Sequence, residues 1–129
     1  LQIESATAVA NVESILAVDG VDALFVGPSD LAASMGYLGQ QNHPEVVEAV
    51  LHTITAGRTA GKPVGVNAFV AADADRYIEA GASFVAVGAD VAILARQTEA
   101  LVDRFIPAAG AGGTAGATGG APTAPRSSY

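Results

Sequence analysis

The sequence predicts an α/β fold built on a parallel sheet, and three observations carry that expectation. Four short apolar runs alternate with stretches of helical periodicity, the pattern of a parallel sheet whose right-handed crossovers are helices. The runs are nearly continuous rather than alternating with polar residues, as in strands buried on both faces. Gly-Val-Asp-Ala-Leu-Phe-Val-Gly at 20–27 is echoed by Gly-Ala-Ser-Phe-Val-Ala-Val-Gly at 81–88, an offset of 61 residues filled by two strand–helix units. Any two buried strands that end in glycine look somewhat alike, so the echo adds to the alternation without standing alone.

Leu1-Gln2-Ile3-Glu4 reads as the end of a strand, without an initiator Met or a preceding turn. Ser5 or Thr7 then caps one helix carrying Val9, Val12, Ile15 and Leu16, which Asp19-Gly20 stops. Ala23 to Val26 is the second strand, and Gly27-Pro28 breaks it into a short helix over Ser29 to Met35. A polar loop from Gly36 to His43 leads to Pro44, which suits the first turn of a helix because its missing N–H has no partner there. That helix presents Val46, Val47, Val50, Leu51 and Ile54 as one stripe and fades near Gly57 and Gly61. Pro63 to Asn67 is the third strand. Asp73 to Glu79 is a short helix packing Tyr77 and Ile78, closed by Gly81. Ser83 to Val87 is the fourth strand. The final helix, about Val91 to Phe105, is expected to bury Val91, Leu94, Leu101, Val102 and Phe105.

Of the 129 residues, half are hydrophobic and 15% are charged. Pro107 to Tyr129 holds six Gly, seven Ala, three Pro, three Thr and two Ser. This segment lacks apolar periodicity and is expected to be a disordered tail. The domain organisation is therefore residues 1–106 folded and 107–129 as tail. Four strand–helix units in 106 residues fit either a small open sheet or four of the eight units of a (β/α)8 barrel, which takes about 250 residues.

Composition excludes several functions. All 13 acidic side chains, and all but one of the six basic ones, lie before residue 107. Such a surface lacks the basic footprint of a nucleic-acid binder. No apolar run approaches a membrane span, and no basic amphipathic face suits a membrane surface. The absence of cysteine removes disulfides, thiolate metal sites and a cysteine nucleophile. No signal-peptide pattern opens the chain, so a cytoplasmic location is the default.

Ligands of barrels and open α/β sheets sit at the carboxyl ends of the strands. Past the four runs stand Gln2-Ile3-Glu4, Gly27-Pro28-Ser29-Asp30, Asn67, and Gly88-Ala89-Asp90. Alternation points Gln2 and Glu4 to one face. Glu4 and Asp30 on neighbouring strands would bring two carboxylates to one cation, and an oxygen-rich site favours Mg2+ or Mn2+ over zinc. Spacing alone leaves a plainer role open, since a strand-end carboxylate often only caps a helix.

These residues also carry a family resemblance. Gln2-Ile3-Glu4, Gly27-Pro28-Ser29-Asp30-Leu31, Met35-Gly36-Tyr37-x-Gly39, His43-Pro44-Glu45-Val46, Phe84-Val85-Ala86-Val87-Gly88-x-Asp90 and Leu94-Ala95-Arg96 occur in order. The set resembles the HpcH/HpaI aldolase family and spans Leu1 to about Phe105. The resemblance implies the carboxyl-terminal half of a (β/α)8 TIM barrel of the pyruvate/phosphoenolpyruvate superfamily, with the amino-terminal half missing. It implies a metal-dependent (class II) lyase that cleaves a 4-hydroxy-2-oxo acid to pyruvate and an aldehyde, as 4-hydroxy-2-oxoheptanedioate aldolases do. Glu4 and Asp30 would hold Mg2+, Mn2+ or Co2+. Gln2 would line the site near the pyruvate oxygens, and backbone N–H groups around Gly27, Ser29 and Asp30 would receive the pyruvate carboxylate. The cation would act as a Lewis acid on the charge left by bond cleavage. A homo-oligomer, hexameric in relatives, is implied as well.

The family's base His and substrate Arg belong to the missing half, so the isolated chain is expected to be inactive and no catalytic residue is assigned. His43 matches the loop pattern and His52 a helix face, while Arg96 and Arg104 suit surface or interface roles. Asp90 is expected to cap the last helix. Asn67 departs from the apolar residue of many relatives and is expected to bind the aldehyde side of the substrate. Two alternatives remain: a non-catalytic half-barrel that associates or binds an anion, and another pyruvate- or phosphate-using barrel enzyme with Gly88 in a phosphate loop.

Overall fold

The computed structural model describes residues 1–106, so the tail expected at 107–129 lies outside the described residues. Residues 1–88 form one compact unit, and a second begins at Ala89.

The first unit contains β1 (Gln2–Ile3), α1 (Ala6–Ala10), α2 (Val12–Leu16), β2 (Leu24–Val26), α3 (Pro28–Ser34), α4 (Pro44–Thr59), β3 (Val64–Asn67), α5 (Ala71–Glu79) and β4 (Phe84–Ala86). All three strand pairings are parallel and the order is β1-β2-β3-β4. The strands therefore follow one another across the sheet in chain order, each joined to the next by helix, as in successive units of a barrel wall.

Pleating assigns the two sheet faces opposite roles. Ile3, Val26 and Val66 fall in one register row, with Leu24 and Val64 in another. These five join Val12, Leu16, Leu31, Val46, Val50, Ile54 and Tyr77 in the buried core. Helix α4 lies at its centre, packing against α2, α3, β2 and β3. Gly57 permits that closeness, because a Cβ there would stand 2.1 Å from Val64 Cγ2. The opposite face carries the row Gln2, Phe25, Gly65 and Phe84. The two phenylalanine rings stack at 5.9 Å across Gly65, where a Cβ would enter the Phe84 ring.

Two sequence expectations are corrected in this unit. The first helix is two, broken at Asn11 (φ −108°, ψ 12°), whose side-chain amide donates to the Thr7 carbonyl at 2.8 Å. Asparagine competes in this way with helical hydrogen bonding. Ile78 is exposed while its neighbour Tyr77 takes the buried face of α5.

The second unit holds α6 (Asp90–Phe105). Val91, Leu94, Leu101, Val102 and Phe105, expected to be buried, are exposed, Leu94 at 71% and Phe105 at 67%. Helical periodicity identified the stripe but not its cover. Asp90 is the first helical residue rather than the cap, and its Oδ1 accepts from the Val91 N–H at 2.8 Å. No described helix is long and apolar enough to cross a membrane.

Candidate active site

The strand-end carboxylates do converge. Glu4 follows β1 directly, and Asp30 sits in the first turn of α3, where the helix dipole favours an anion. Between them lies Gly27, the N-cap of α3. A Cβ placed on Gly27 would meet Glu4 Oε2 at 3.4 Å and Asp30 Oδ2 at 3.8 Å. The two carboxylates thus border the space that this glycine leaves empty.

Local sequence explains the placement. Pro28 starts α3 without losing a hydrogen bond, because first-turn N–H groups have no intrahelical acceptor. The helix therefore begins immediately after β2 and delivers Asp30 next to the strand end. Ser5 caps α1, its hydroxyl accepting from the Ala8 N–H at 3.2 Å. At the other end of the site's frame, Ser34 Oγ accepts from the Ala6 N–H at 3.1 Å, tying the start of α1 to the end of α3. Asp30 stands on one of the two elements this bond connects, and Glu4 two residues before the start of the other.

The remaining expected residues have distinct places. Gln2 is exposed on the same face as Glu4, one pleat earlier, in the row of Phe25. Asn67 ends β3 and, by extension of the β2–β3 register, lies beside Gly27. It is partly buried, and its Oδ1 is buried with no hydrogen-bond partner among the described residues. The Ser29 hydroxyl donates to Gln41 Oε1 at 2.6 Å, anchoring the loop after α3 to the helix start. The Gly27 N–H, expected among the donors to a ligand, is already committed to the Ile3 carbonyl at 3.2 Å. Gly27 contributes space, while the first-turn N–H groups of Ser29 and Asp30 remain as donors.

Both histidines lie elsewhere. His43 caps α4, its Nδ1 accepting from the Glu45 N–H at 3.4 Å, and stacks on Tyr37 with ring centroids 3.7 Å apart. The Tyr37 phenol is raised above its ordinary pKa, first by hydrogen bonding to Glu45, then by its own desolvation and by the Glu45 charge. His52 approaches Glu13 at 3.5 Å, in a groove between α2 and α4 lined also by Leu16, Thr55 and Thr59. Sequence reasoning missed Gln41 and the Phe25–Phe84 stack over Gly65. Nothing in the spacing of the polar loop signals Gln41, whereas the phenylalanines stood in plain view within the two echoed strands.

The oxygen donors suit a hard divalent cation: two carboxylates of different elements, one bare glycine between them, and no soft ligand. Among the described residues no third Asp, Glu or His joins them, leaving most of an octahedral shell for ligand and water.

Residues 1–96 match the family model described as HpcH/HpaI aldolase/citrate lyase. A 5-keto-4-deoxy-D-glucarate aldolase of Klebsiella pneumoniae subsp. pneumoniae is 53% identical over 105 residues, covering 81% of this chain and 41% of the relative. An HpcH/HpaI aldolase/citrate lyase family protein of Burkholderia cenocepacia J2315 superposes with a TM-score of 0.74 at 48% identity, covering 80% of this chain and 40% of that one. The HpcH/HpaI aldolase of Desulfitobacterium hafniense DCB-2 gives 0.77 at 36% identity, over 84% and 42% of the two chains. The chain thus spans about two-fifths of the length of the relatives it matches. By sequence and by fold, it belongs to the HpcH/HpaI aldolase/citrate lyase family.

Proposed function

We propose that residues 1–88 hold the cation- and 2-oxo-acid-binding part of a class II aldolase, a carbon–carbon lyase that releases pyruvate from a 4-hydroxy-2-oxo acid. The observation that carries this reading is the approach of Glu4 and Asp30 to the empty side of Gly27. Relatives named as 5-keto-4-deoxy-D-glucarate aldolases support the reaction class and point to a hydroxylated six-carbon oxo acid as substrate.

In this reading Glu4 and Asp30 hold Mg2+, Mn2+ or Co2+. The bound cation supplies Lewis-acid stabilisation of the charge that develops when the C3–C4 bond breaks. The residues provide the rest of the arrangement. First-turn N–H groups of Ser29 and Asp30 meet the substrate carboxylate, as helix starts do for anions. Gln2 lies one pleat earlier on the same face and bounds the pocket toward Phe25. Gly27 keeps the approach open. As the C3–C4 pair of electrons passes to the pyruvate fragment, the C4 hydroxyl must lose its proton to a base. Neither His43, stacked on Tyr37, nor His52, on the helical side, stands where it could serve. The partners are small 2-oxo acids and aldehydes, and the working assembly is a homo-oligomer.

The test is Mn2+ titration of the 129-residue chain by calorimetry, with Glu4→Gln and Asp30→Asn variants alongside. Each variant is expected to weaken Mn2+ binding at least about tenfold, roughly 1.4 kcal/mol, with the fold checked by circular dichroism. Wild-type affinity in either variant would overturn the assignment.

A further inference from the structure

Asn67 occupies a position that the fold alone does not explain. It ends β3 beside Gly27 on one strand and Ala86 on the other. Its side-chain oxygen is buried, yet no group in the described chain donates to it. A buried acceptor without a donor is destabilising, and an apolar side chain of similar volume would avoid that cost. Buried polar groups are otherwise paired almost without exception. The missing donor therefore has to come from outside the described residues.

The surroundings restrict what it can be. Ala86 presents only a methyl group. On the other side Gly27 has no side chain, so Asn67 stands one strand spacing, about 4.8 Å, from the residue whose empty side Glu4 and Asp30 border. A ligand in that space meets Asn67, once the amide turns toward it, with whatever lies beyond its oxo-acid head. Carboxylate and carbonyl groups only accept hydrogen bonds, and an alkyl chain makes none. A hydroxyl donates one and keeps its oxygen free for water.

We infer that Asn67 Oδ1 accepts a hydrogen bond from a hydroxyl on the chain of a 2-oxo acid held at Glu4 and Asp30, selecting hydroxylated ligands over their deoxy counterparts. This rests on the proposed function and adds to it a specificity-determining residue and the chemistry it selects. A site built around a polar group discriminates against a ligand lacking its partner more strongly than an apolar pocket can.

Two probes share a six-carbon 2-oxo diacid skeleton: 5-keto-4-deoxy-D-glucarate, with two hydroxyls, and 2-oxoadipate, with none. Each is titrated by calorimetry into the full chain with Mn2+, for wild type and Asn67→Leu. Wild type is expected to bind the hydroxylated probe about tenfold more tightly, one hydrogen bond's worth of affinity. In Asn67→Leu the ratio falls to near one, and the ligand-free Tm stays level or rises because the unpaired acceptor is gone. The inference is overturned by a wild type that does not discriminate, by an unchanged ratio in the variant, or by a lowered Tm, which would reveal an internal partner for Oδ1. If Mn2+ does not bind the wild-type chain, the proposed function falls and takes this inference with it. If Mn2+ binds and the ratio stays put, the inference alone falls.

Discussion

Gly27 shows how one missing side chain can matter more than the groups around it. Its φ of −104° is open to any residue, so its freedom of conformation is not what the position requires. A methyl there would touch both carboxylates at ordinary contact distances of 3.4 and 3.8 Å. Gly27→Ala is therefore expected to fold with a Tm close to wild type while losing Mn2+ affinity about tenfold or more, the order of an overpacking cost of about 1–3 kcal/mol. Thermal unfolding and calorimetry on the same sample check this. Unchanged affinity would show that the cation does not sit over Gly27. At this scale the sequence was informative about which residues matter, because Glu4, Asp30 and Asn67 all stand just past apolar runs. It was silent on how each participates. That the Gly27 N–H belongs to the Ile3 carbonyl depends on strand pairing, which lies outside the reach of local pattern.

Among the elements, α4 is the one whose position the others depend on, and Gly57 sets that position. A Cβ at residue 57 would press into Val64 at 2.1 Å and meet the Lys62 carbonyl at 3.0 Å. Alanine is the better helix former by about 1 kcal/mol, yet Gly57→Ala is expected to lower Tm, since overpacking costs about 1–3 kcal/mol. A rise in Tm would mean that α4 has room to spare against β3. The apolar stripe of α4 was readable from its period, as were the four strands to within a residue or two. The break at Asn11 was not, because it turns on one side-chain hydrogen bond to Thr7 inside an otherwise helical pattern. The stripe of α6 was readable as a stripe, but periodicity cannot say what lies against it.

For the whole molecule, the parallel sheet was the most legible feature of the sequence, while its consecutive order β1-β2-β3-β4 is that of a barrel wall, which alternation and handedness alone do not separate from an open sheet. Function was legible only through motifs, since the same order serves many chemistries. The described residues bring together two carboxylates at Gly27 and, one strand on, a buried amide oxygen, but neither histidine reaches them. The 129-residue chain with Mn2+ is therefore expected to release no pyruvate from 5-keto-4-deoxy-D-glucarate above the uncatalysed rate, as followed by a coupled dehydrogenase assay. Sustained release would show that a proton acceptor other than the two histidines serves the site.

The Ser34–Ala6 hydrogen bond gives the cradle a mechanical meaning. The residues it joins belong to segments far apart in the chain, and the two carboxylates sit on those same segments. An ion gripped by both would act as a second rivet beside the first, across the same seam. Filling the cradle and fastening the start of the first helix to the third would then become a single event, and whatever prises that seam apart would also empty the cradle.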